Sequence, residues 1–330
     1  MTWGYVLRRL AMFVVVLWGA VTINFIVPRL APGDPTAAVL EQLAARGQQS
    51  AGAGDIVAAY RARFGLDDPI LLQYWRYVSN TFRLDLGTSI SYFPQSVSGS
   101  ILMALPWTIV LLGVATVIAF GVGSLLGALL AWPGSPRAVK ALAPLLMVLS
   151  AIPYYLLALI VLYLLAIWTG IFPLGGAFSG QAPSFTPAGL LDLADHAFLP
   201  ALSIVLAGVG FWALGMRGAM IGVLGEDFLT LGEAKGLPPG KVFFGYAMRN
   251  ALLPQVTSLA IALGTAASGS VLVEVAFNYP GIGYLLYNAL RASDYFLVQG
   301  IAFFLVLTVA VAVLALDLVY PLLDPRIRRQ

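Results

Sequence analysis

Six stretches of this chain are long enough and apolar enough to cross a lipid bilayer, and that constrains every other reading of it. They run over roughly 10–30, 107–132, 141–169, 199–221, 251–277 and 296–323. A hydrocarbon core about 30 Å thick takes about 20 residues of helix. Each stretch is nearly free of charge, as lipid requires when the backbone must satisfy its own polar groups. The fourth is the least uniform, with Gly or Pro at five positions. Only 10% of the residues are charged and 60% are hydrophobic, whereas a soluble domain carries about 25% charged residues. So few charges cannot cover the surface of a soluble protein of this length. The expected fold class is therefore an all-α membrane protein with six transmembrane helices.

The same composition removes several chemistries. With no cysteine there is no disulfide, thiolate metal site or Cys nucleophile. One histidine, His196, leaves no His-based metal cluster within the chain. Arg8 and Arg9 precede the first apolar run as in a signal peptide, but Leu10 to Val27 is longer than a signal core and no small-residue cleavage site follows. An uncleaved first span is expected.

Lys and Arg in short loops set the orientation. With the N-terminus in the cytoplasm, the inside set is Arg8, Arg9, Arg137, Lys140, Arg217, Lys235, Lys241, Arg249, Arg326, Arg328 and Arg329. The short outside loops carry only Arg291. Arg46, Arg61, Arg63, Arg76 and Arg83 lie in the long segment after span one, with Arg29 at its edge. Long loops translocate with little regard to charge. Both termini are then cytoplasmic, and the net charge of +3 reflects topology rather than nucleic-acid binding. The long outside segment, 31–104, opens on the turn Pro32-Gly33-Asp34-Pro35. Asp55–Phe64 has amphipathic charge spacing, and Tyr74, Trp75 and Tyr77 are placed to anchor at the headgroup level. The expected division is 1–30 with the first span, 31–104 outside, and a five-helix core over 105–330 that contains a polar cytoplasmic loop at 222–250.

That loop is the chain's most specific feature. Leu224–Lys235 reads as a short helix, with Glu226 and Asp227 at its positive N-terminal end and Lys235 at its C-terminal end. Gly236 stops it. Pro238 or Pro239 starts a second helix, with Val242, Phe243, Tyr246 and Ala247 available for an apolar face. Gly236 to Lys241 is not a phosphate loop: it is one residue short between the glycines, and Val242 stands where a Ser or Thr would hold magnesium. Any nucleotide chemistry must come from another chain.

The triplet Ala234-Lys235-Gly236, followed by Arg249-Asn250-Ala251-Leu252-Leu253-Pro254, resembles the EAA loop of ABC-importer permeases in the version carried by the peptide/nickel permease family. The likeness extends over nearly the whole chain. Tyr5-Val6-Leu7-Arg8-Arg9-Leu10, Leu30 to Pro35, Phe64 to Pro69 and Asp85 to Ser89 are similar to the opening of dipeptide and oligopeptide permeases of the first-subunit type. Phe198 to Leu202, Val273 to Gly283, Asp294-Tyr295 and Leu323 to Arg326 complete the order. There are departures. The EAA triplet positions hold Thr230, Leu231 and Gly232, Glu233 stands where the family often has arginine, and Pro238-Pro239-Gly240 replaces a more polar stretch.

The resemblance implies type I ABC importer architecture in a bacterial or archaeal cytoplasmic membrane. It implies a second homologous permease, two ATPase subunits that bind ATP and magnesium, and an extracytoplasmic binding protein. This chain would hold no cofactor and perform no covalent chemistry. Di- or oligopeptides are the implied cargo, with nickel, glutathione, haem and oligosaccharides carried by relatives. ATPase coupling falls to Asp227, Thr230, Gly232, Glu233, Ala234, Lys235, Gly236, Leu237, Lys241, Arg249, Asn250 and Pro254. A stand-alone ion-coupled transporter would instead show inverted repeats or mid-membrane charges, and an intramembrane enzyme would need paired acids, a Ser/His pair or a metal cluster. Neither pattern is clear.

The remaining motifs sit in or near spans. Gly121, Gly123, Ser124, Gly127 and Ala128 place small residues four apart, which lets helices approach closely. The run Gly264–Gly269 has the same property, and Ser268 and Gly269 are pathway candidates in a span that lines the pathway in this family. Glu274 is expected near the outer end of span five, contacting substrate or sealing a gate with Arg291; Tyr279 lies in the turn that follows. Asp317 is expected to pair with cytoplasmic basic groups, and Asp192, Asp195 and His196 read as capping and solvated charge.

Overall fold

The computed structural model describes residues 3–30, 68–89, 91–92, 94–180, 182–266, 270–292 and 294–323. The turn at Pro32–Pro35, the amphipathic segment Asp55–Phe64, the pathway candidates Ser268 and Gly269, and Arg326, Arg328 and Arg329 lie outside the described residues. In chain order the helices are α1 (Trp3–Leu30), α2 (Ile70–Phe82), α3 (Val97–Ala131), α4 (Arg137–Lys140), α5 (Ala143–Ala151), α6 (Tyr154–Val161, continued as a π-helix over Leu162–Trp168), α7 (Pro187–Val223), α8 (Asp227–Ala234), α9 (Pro239–Val242, continued as a π-helix over Phe243–Met248), α10 (Arg249–Thr265), α11 (Val271–Ala276), α12 (Ile282–Arg291) and α13 (Tyr295–Leu323).

Among the described residues, α1, α3, α7 and α13 are each long and apolar enough to span a bilayer. The third apolar stretch is not one straight helix. α4 and α5 on one side and α6 on the other meet at a bend of 103°, and together they make a fifth span if the pair is counted as one. The bend falls at Pro153, where the preceding Ile152 leaves the helical region at φ −83 and ψ 124. The fifth stretch also breaks. α10 has 17 residues, about 26 Å at 1.5 Å per residue, and Ser270, just before α11, lies outside the helical region at φ −118 and ψ 79. The fourth stretch, the least uniform in sequence, is the longest helix among the described residues, at 37 residues. α7 starts at Pro187 because Thr186 caps it, accepting from Gly189 N at 3.2 Å, with Pro187 in the first turn. It therefore takes Asp192, Asp195 and His196 into its own first turns rather than leaving them in a loop before the span.

The chain forms two compact units, Met1–Pro106 with Gly281–Gln330, and Trp107–Pro280. In the first unit, α1 and α13 run antiparallel. Arg9 pairs with Asp317 at 3.0 Å near one end. Near the other, Asn24 Nδ2 donates to the Gln299 carbonyl at 2.7 Å and Gln299 Nε2 donates back to the Asn24 carbonyl at 3.1 Å. Val97, Ile101 and Ala104 of α3 pack on Ile282, Leu285 and Ala289 of α12 and on Leu297 and Ile301 of α13. Asp294 is fully buried and caps α13: it accepts from Leu297 N at 3.1 Å, and from Ser89 Oγ and Ser91 N at 2.5 and 2.9 Å.

In the second unit, α7 is the hub. Its Val209, Trp212 and Ala213 lie against α3, where Gly123 and Gly127 leave no room for a side chain. A Cβ on Gly123 would stand 2.6 Å from Trp212 Cβ, and one on Gly127 would overlap the Ala213 backbone. Gly121, two residues away on another face, has nothing within 4 Å. On its other side α7 receives α5, with Gly210 against Leu146 and Ser150. The expected small-residue packing is thus carried by Gly123 and Gly127.

Candidate functional site

The loop between α7 and α10 folds as a helical hairpin. α8 ends where Gly236 adopts φ +71, a conformation glycine reaches at no steric cost. Gly236 N donates to the Glu233 carbonyl at 2.8 Å and Leu237 N to the Gly232 carbonyl at 3.3 Å, which satisfies the helix end. Pro238 and Pro239 then start α9. The underside of the hairpin is apolar and buried. Leu229, Val242, Phe243, Ala247 and Ala251 are buried with Ala128 of α3 and Met216 and Met220 of α7. Trp132 at the end of α3 meets the Phe243 ring edge-on at 5.2 Å. The apolar face expected on the second helix is therefore used within the chain, to clamp the hairpin onto the ends of α3 and α7.

The polar candidates occupy the opposite face. Asp227, Thr230, Glu233, Ala234, Lys235, Gly236, Lys241, Arg249, Asn250 and Pro254 are exposed; Leu237 is half-buried and Gly232 is buried. Asn250 Nδ2 donates to the Tyr246 carbonyl at 2.7 Å, across the π-helical turn that joins α9 to α10. Two exposed apolar side chains accompany this face, Leu231 at 55% and Phe244 at 60% exposure. Neither is among the expected coupling residues, although Leu231 occupies an EAA triplet position. The signal for Leu231 was present: at 100° per residue it projects away from Leu229 and Gly232, the two buried positions of α8.

A second cluster surrounds the turn after α11. Glu274 is fully buried and its Oε1 accepts from Thr108 Oγ1 of α3 at 2.8 Å. Tyr279 N donates to the Glu274 carbonyl at 2.8 Å, with Asn278 at φ +47 forming the turn. The loop after α6 closes on it: Gly176 N donates to the Phe277 carbonyl at 2.7 Å. Trp107 meets Tyr279 edge-on at 5.9 Å and Phe178 at 6.0 Å. Burial, then the Glu274 charge, push the Tyr279 phenol up to about 12. Glu274 is thus a buried fastener of this turn. Arg291, in the other unit, holds its guanidinium over the Tyr287 ring at 5.7 Å. Asp192 accepts from Ser179 N and Oγ at 2.8 and 2.6 Å, and His196 Nδ1 lies 2.8 Å from the Asp192 carbonyl. No group of metal-ligating side chains forms among the described residues.

Residues 123–329 match the family model of the binding-protein-dependent transport system inner membrane component. The chain belongs to this family. It is a permease component, a multi-pass protein of the bacterial cytoplasmic membrane. The matched segment contains both the α8–α9 hairpin and the turn after α11. Over nearly full length the permease is similar to the oligopeptide transport system permease protein AppB of Bacillus subtilis, at 29% identity covering 98% of this chain and 99% of the relative. It is similar to the oligopeptide transport system permease protein OppB of Haemophilus influenzae, at 31% identity over 98% and 99%. The probable D,D-dipeptide transport system permease protein DdpB of Escherichia coli is 32% identical, over 99% and 98%.

The permease carries Gly232 inside α8, and the space around it admits a side chain. A Cβ there would meet Leu237 Cδ1 and Val242 Cγ2 at 3.9 Å each, ordinary contact distance. Gly232→Ala is expected to stabilise the hairpin, by up to about 1 kcal/mol from helix propensity. A thermal unfolding series in detergent checks this; a lower midpoint for the alanine variant would mean that the hairpin needs the bare glycine.

Proposed function

We propose that this permease forms half of the translocation pathway of an ATP-driven importer of di- or oligopeptides. It works with a second homologous permease, two ATPase subunits that bind ATP and magnesium, and a substrate-binding protein outside the membrane. The peptide cargo rests on the names of the relatives, which are oligopeptide and dipeptide permeases. The topology is six spans with both termini cytoplasmic, 31–104 outside, and a five-helix core over 105–330. The antiparallel packing of α1 on α13, with Arg9 at Asp317, supports termini on one side.

The observation that carries the reading is the two-sided hairpin at 222–250. Its buried face is continuous with α3 and α7, and its opposite face presents Asp227, Thr230, Leu231, Glu233 and Lys235 to the outside of the chain. An ATPase that grips the exposed face moves α3 and α7 as a body, because a close-packed interface transmits displacement rather than absorbing it. ATP binding closes the ATPases and opens the permeases outward; hydrolysis resets them. Thr230, Gly232, Ala234, Gly236, Leu237, Lys241, Arg249, Asn250 and Pro254 shape and flank the gripped surface. Glu274, Tyr279, Arg291, Ser268 and Gly269 are each proposed as pathway or gate residues, Glu274 by holding the turn that carries Tyr279.

Co-purification with the candidate ATPases tests this. The native chain is expected to retain them. A variant in which Asp227–Gly236 becomes a Gly/Ser linker is expected to lose them while remaining monodisperse. If no ATPase associates with the native chain under any nucleotide condition, the importer reading fails, and proton- or ion-driven flux becomes the next measurement.

A further inference from the structure

We propose that α2 is an interfacial membrane anchor, with Leu71, Trp75 and Phe82 seated in the headgroup–acyl boundary of the leaflet at the C-terminal end of α1.

The helix has three faces. One is packed on α1: Tyr74 and Thr22 share a hydrogen bond at 2.8 Å, Asn24 Nδ2 donates to Tyr77 Oη at 3.0 Å, and Arg29 Nη2 donates to Gln73 Oε1 at 2.9 Å. The Phe25 ring lies 5.2 Å from Tyr74 and 5.6 Å from Tyr77. Tyr74 and Tyr77 are thus committed to α1 and are not lipid anchors themselves. The second face is apolar and uncovered by the described chain. Leu71, Trp75 and Phe82 are 79%, 69% and 48% exposed, and at 100° per residue they fall within about 40° of one another. The third face carries Arg76, paired with Asp68, and the exposed Asn80.

What covers the apolar stripe follows from depth. Thr22 and Asn24 lie inside the span-forming part of α1, Trp3–Val27. At 1.5 Å per residue they are no more than about 8 Å from its end. A helix held beside them sits where amphipathic helices lie in a membrane, with the apolar face about 5–10 Å into the headgroup and acyl boundary. Tryptophan favours that depth. Water is the wrong medium for an apolar stripe at that depth, and the polar third face points Arg76 and Asn80 to the other side. The anchor would fix where the 31–104 segment leaves the membrane. It does not depend on which side of the membrane that is, nor on the ATPase reading.

The chain lacks cysteine, so single labels can be placed without removing any. Leu71→Cys, Trp75→Cys, Phe82→Cys and Asn80→Cys would each be spin-labelled in the full chain, with its co-purifying subunits. Each would then be reconstituted into phosphatidylethanolamine and phosphatidylglycerol vesicles. Collision with oxygen is expected to exceed collision with a water-soluble nickel chelate several-fold at 71, 75 and 82, and to reverse at 80. Nickel access at 71 and 75 would place the stripe in water. Shielding from both reagents would place it against a protein, the second permease or the binding protein. Either result overturns the anchor. If the labelled variants do not stay monodisperse, a photoactivatable phosphatidylethanolamine added to the unsubstituted complex supplies the answer. Adducts are expected on the 70–82 peptide; adducts on α1 and α13 with none on 70–82 would also overturn it.

Discussion

Gly127→Leu is expected to abolish recovery of a folded permease. The glycine lies where α3 crosses α7, and even a Cβ would overlap the Ala213 backbone. Neither partner can yield. The obstacle is main chain in the middle of a 37-residue helix, not the end of a flexible side chain. Overpacking a close contact costs about 1–3 kcal/mol where side chains can adjust, and more is expected where only backbone can. Gly127→Ala is expected to lower thermal stability measurably, and Gly123→Leu to behave like Gly127→Leu, since its Cβ would crowd Trp212 and Val209. Gly121→Leu provides the contrast, because nothing lies within 4 Å of a Cβ there. Size-exclusion profiles in mild detergent read the result. Gly121→Leu should match the native profile and Gly127→Leu should lose the monodisperse peak. Equal behaviour of the two variants would show that α3 and α7 do not meet as described.

Leu231→Asp is expected to cut ATPase retention at least about tenfold, equivalent to about 1.4 kcal/mol, without unfolding the chain. Leu231 is more than half exposed on a short helix whose other side is buried. Its removal therefore costs the permease little. As an exposed apolar side chain among charged ones, it offers area whose burial under a partner is favourable. Placing a carboxylate there also adds negative charge between Asp227 and Glu233. Gly232→Ala, one residue away but facing inward, is expected to retain the ATPases. Pull-down from detergent with each variant separates the two positions. If Leu231→Asp keeps full ATPase binding while the linker variant loses it, the grip lies on the polar residues of α8 instead.

The parts of this protein that meet water were the most legible in its sequence. Gly236 as a helix stop and Pro238-Pro239 as a helix start mark the hairpin without any structure, because φ +71 and a missing N–H are local constraints. Asp317 finds Arg9 as charge alone predicts. Of the six expected spans, four and the bent pair were legible as apolar length, but not in shape. Pro153 kinks its stretch by 103° while Pro200 sits inside an unbroken α7. A proline removes one backbone donor in either case, and whether the chain bends depends on what packs around it.

Position along the chain determined that this is an α-helical membrane protein, where its polar hairpin lies, and which glycine turns it. The tertiary structure decided the rest. It decided that Gly127 and not Gly121 meets a neighbour, that the apolar side of α9 faces inward, and that Glu274 is fastened to Thr108 beneath the turn after α11. It also decided that Leu231 remains exposed. The reason lies in the solvent. In water, burial leaves a periodic trace, because the outer face must be polar. In lipid, a face turned to a neighbouring helix and a face turned to the bilayer are equally apolar, so the contrast that would reveal packing vanishes and only atomic contact restores it.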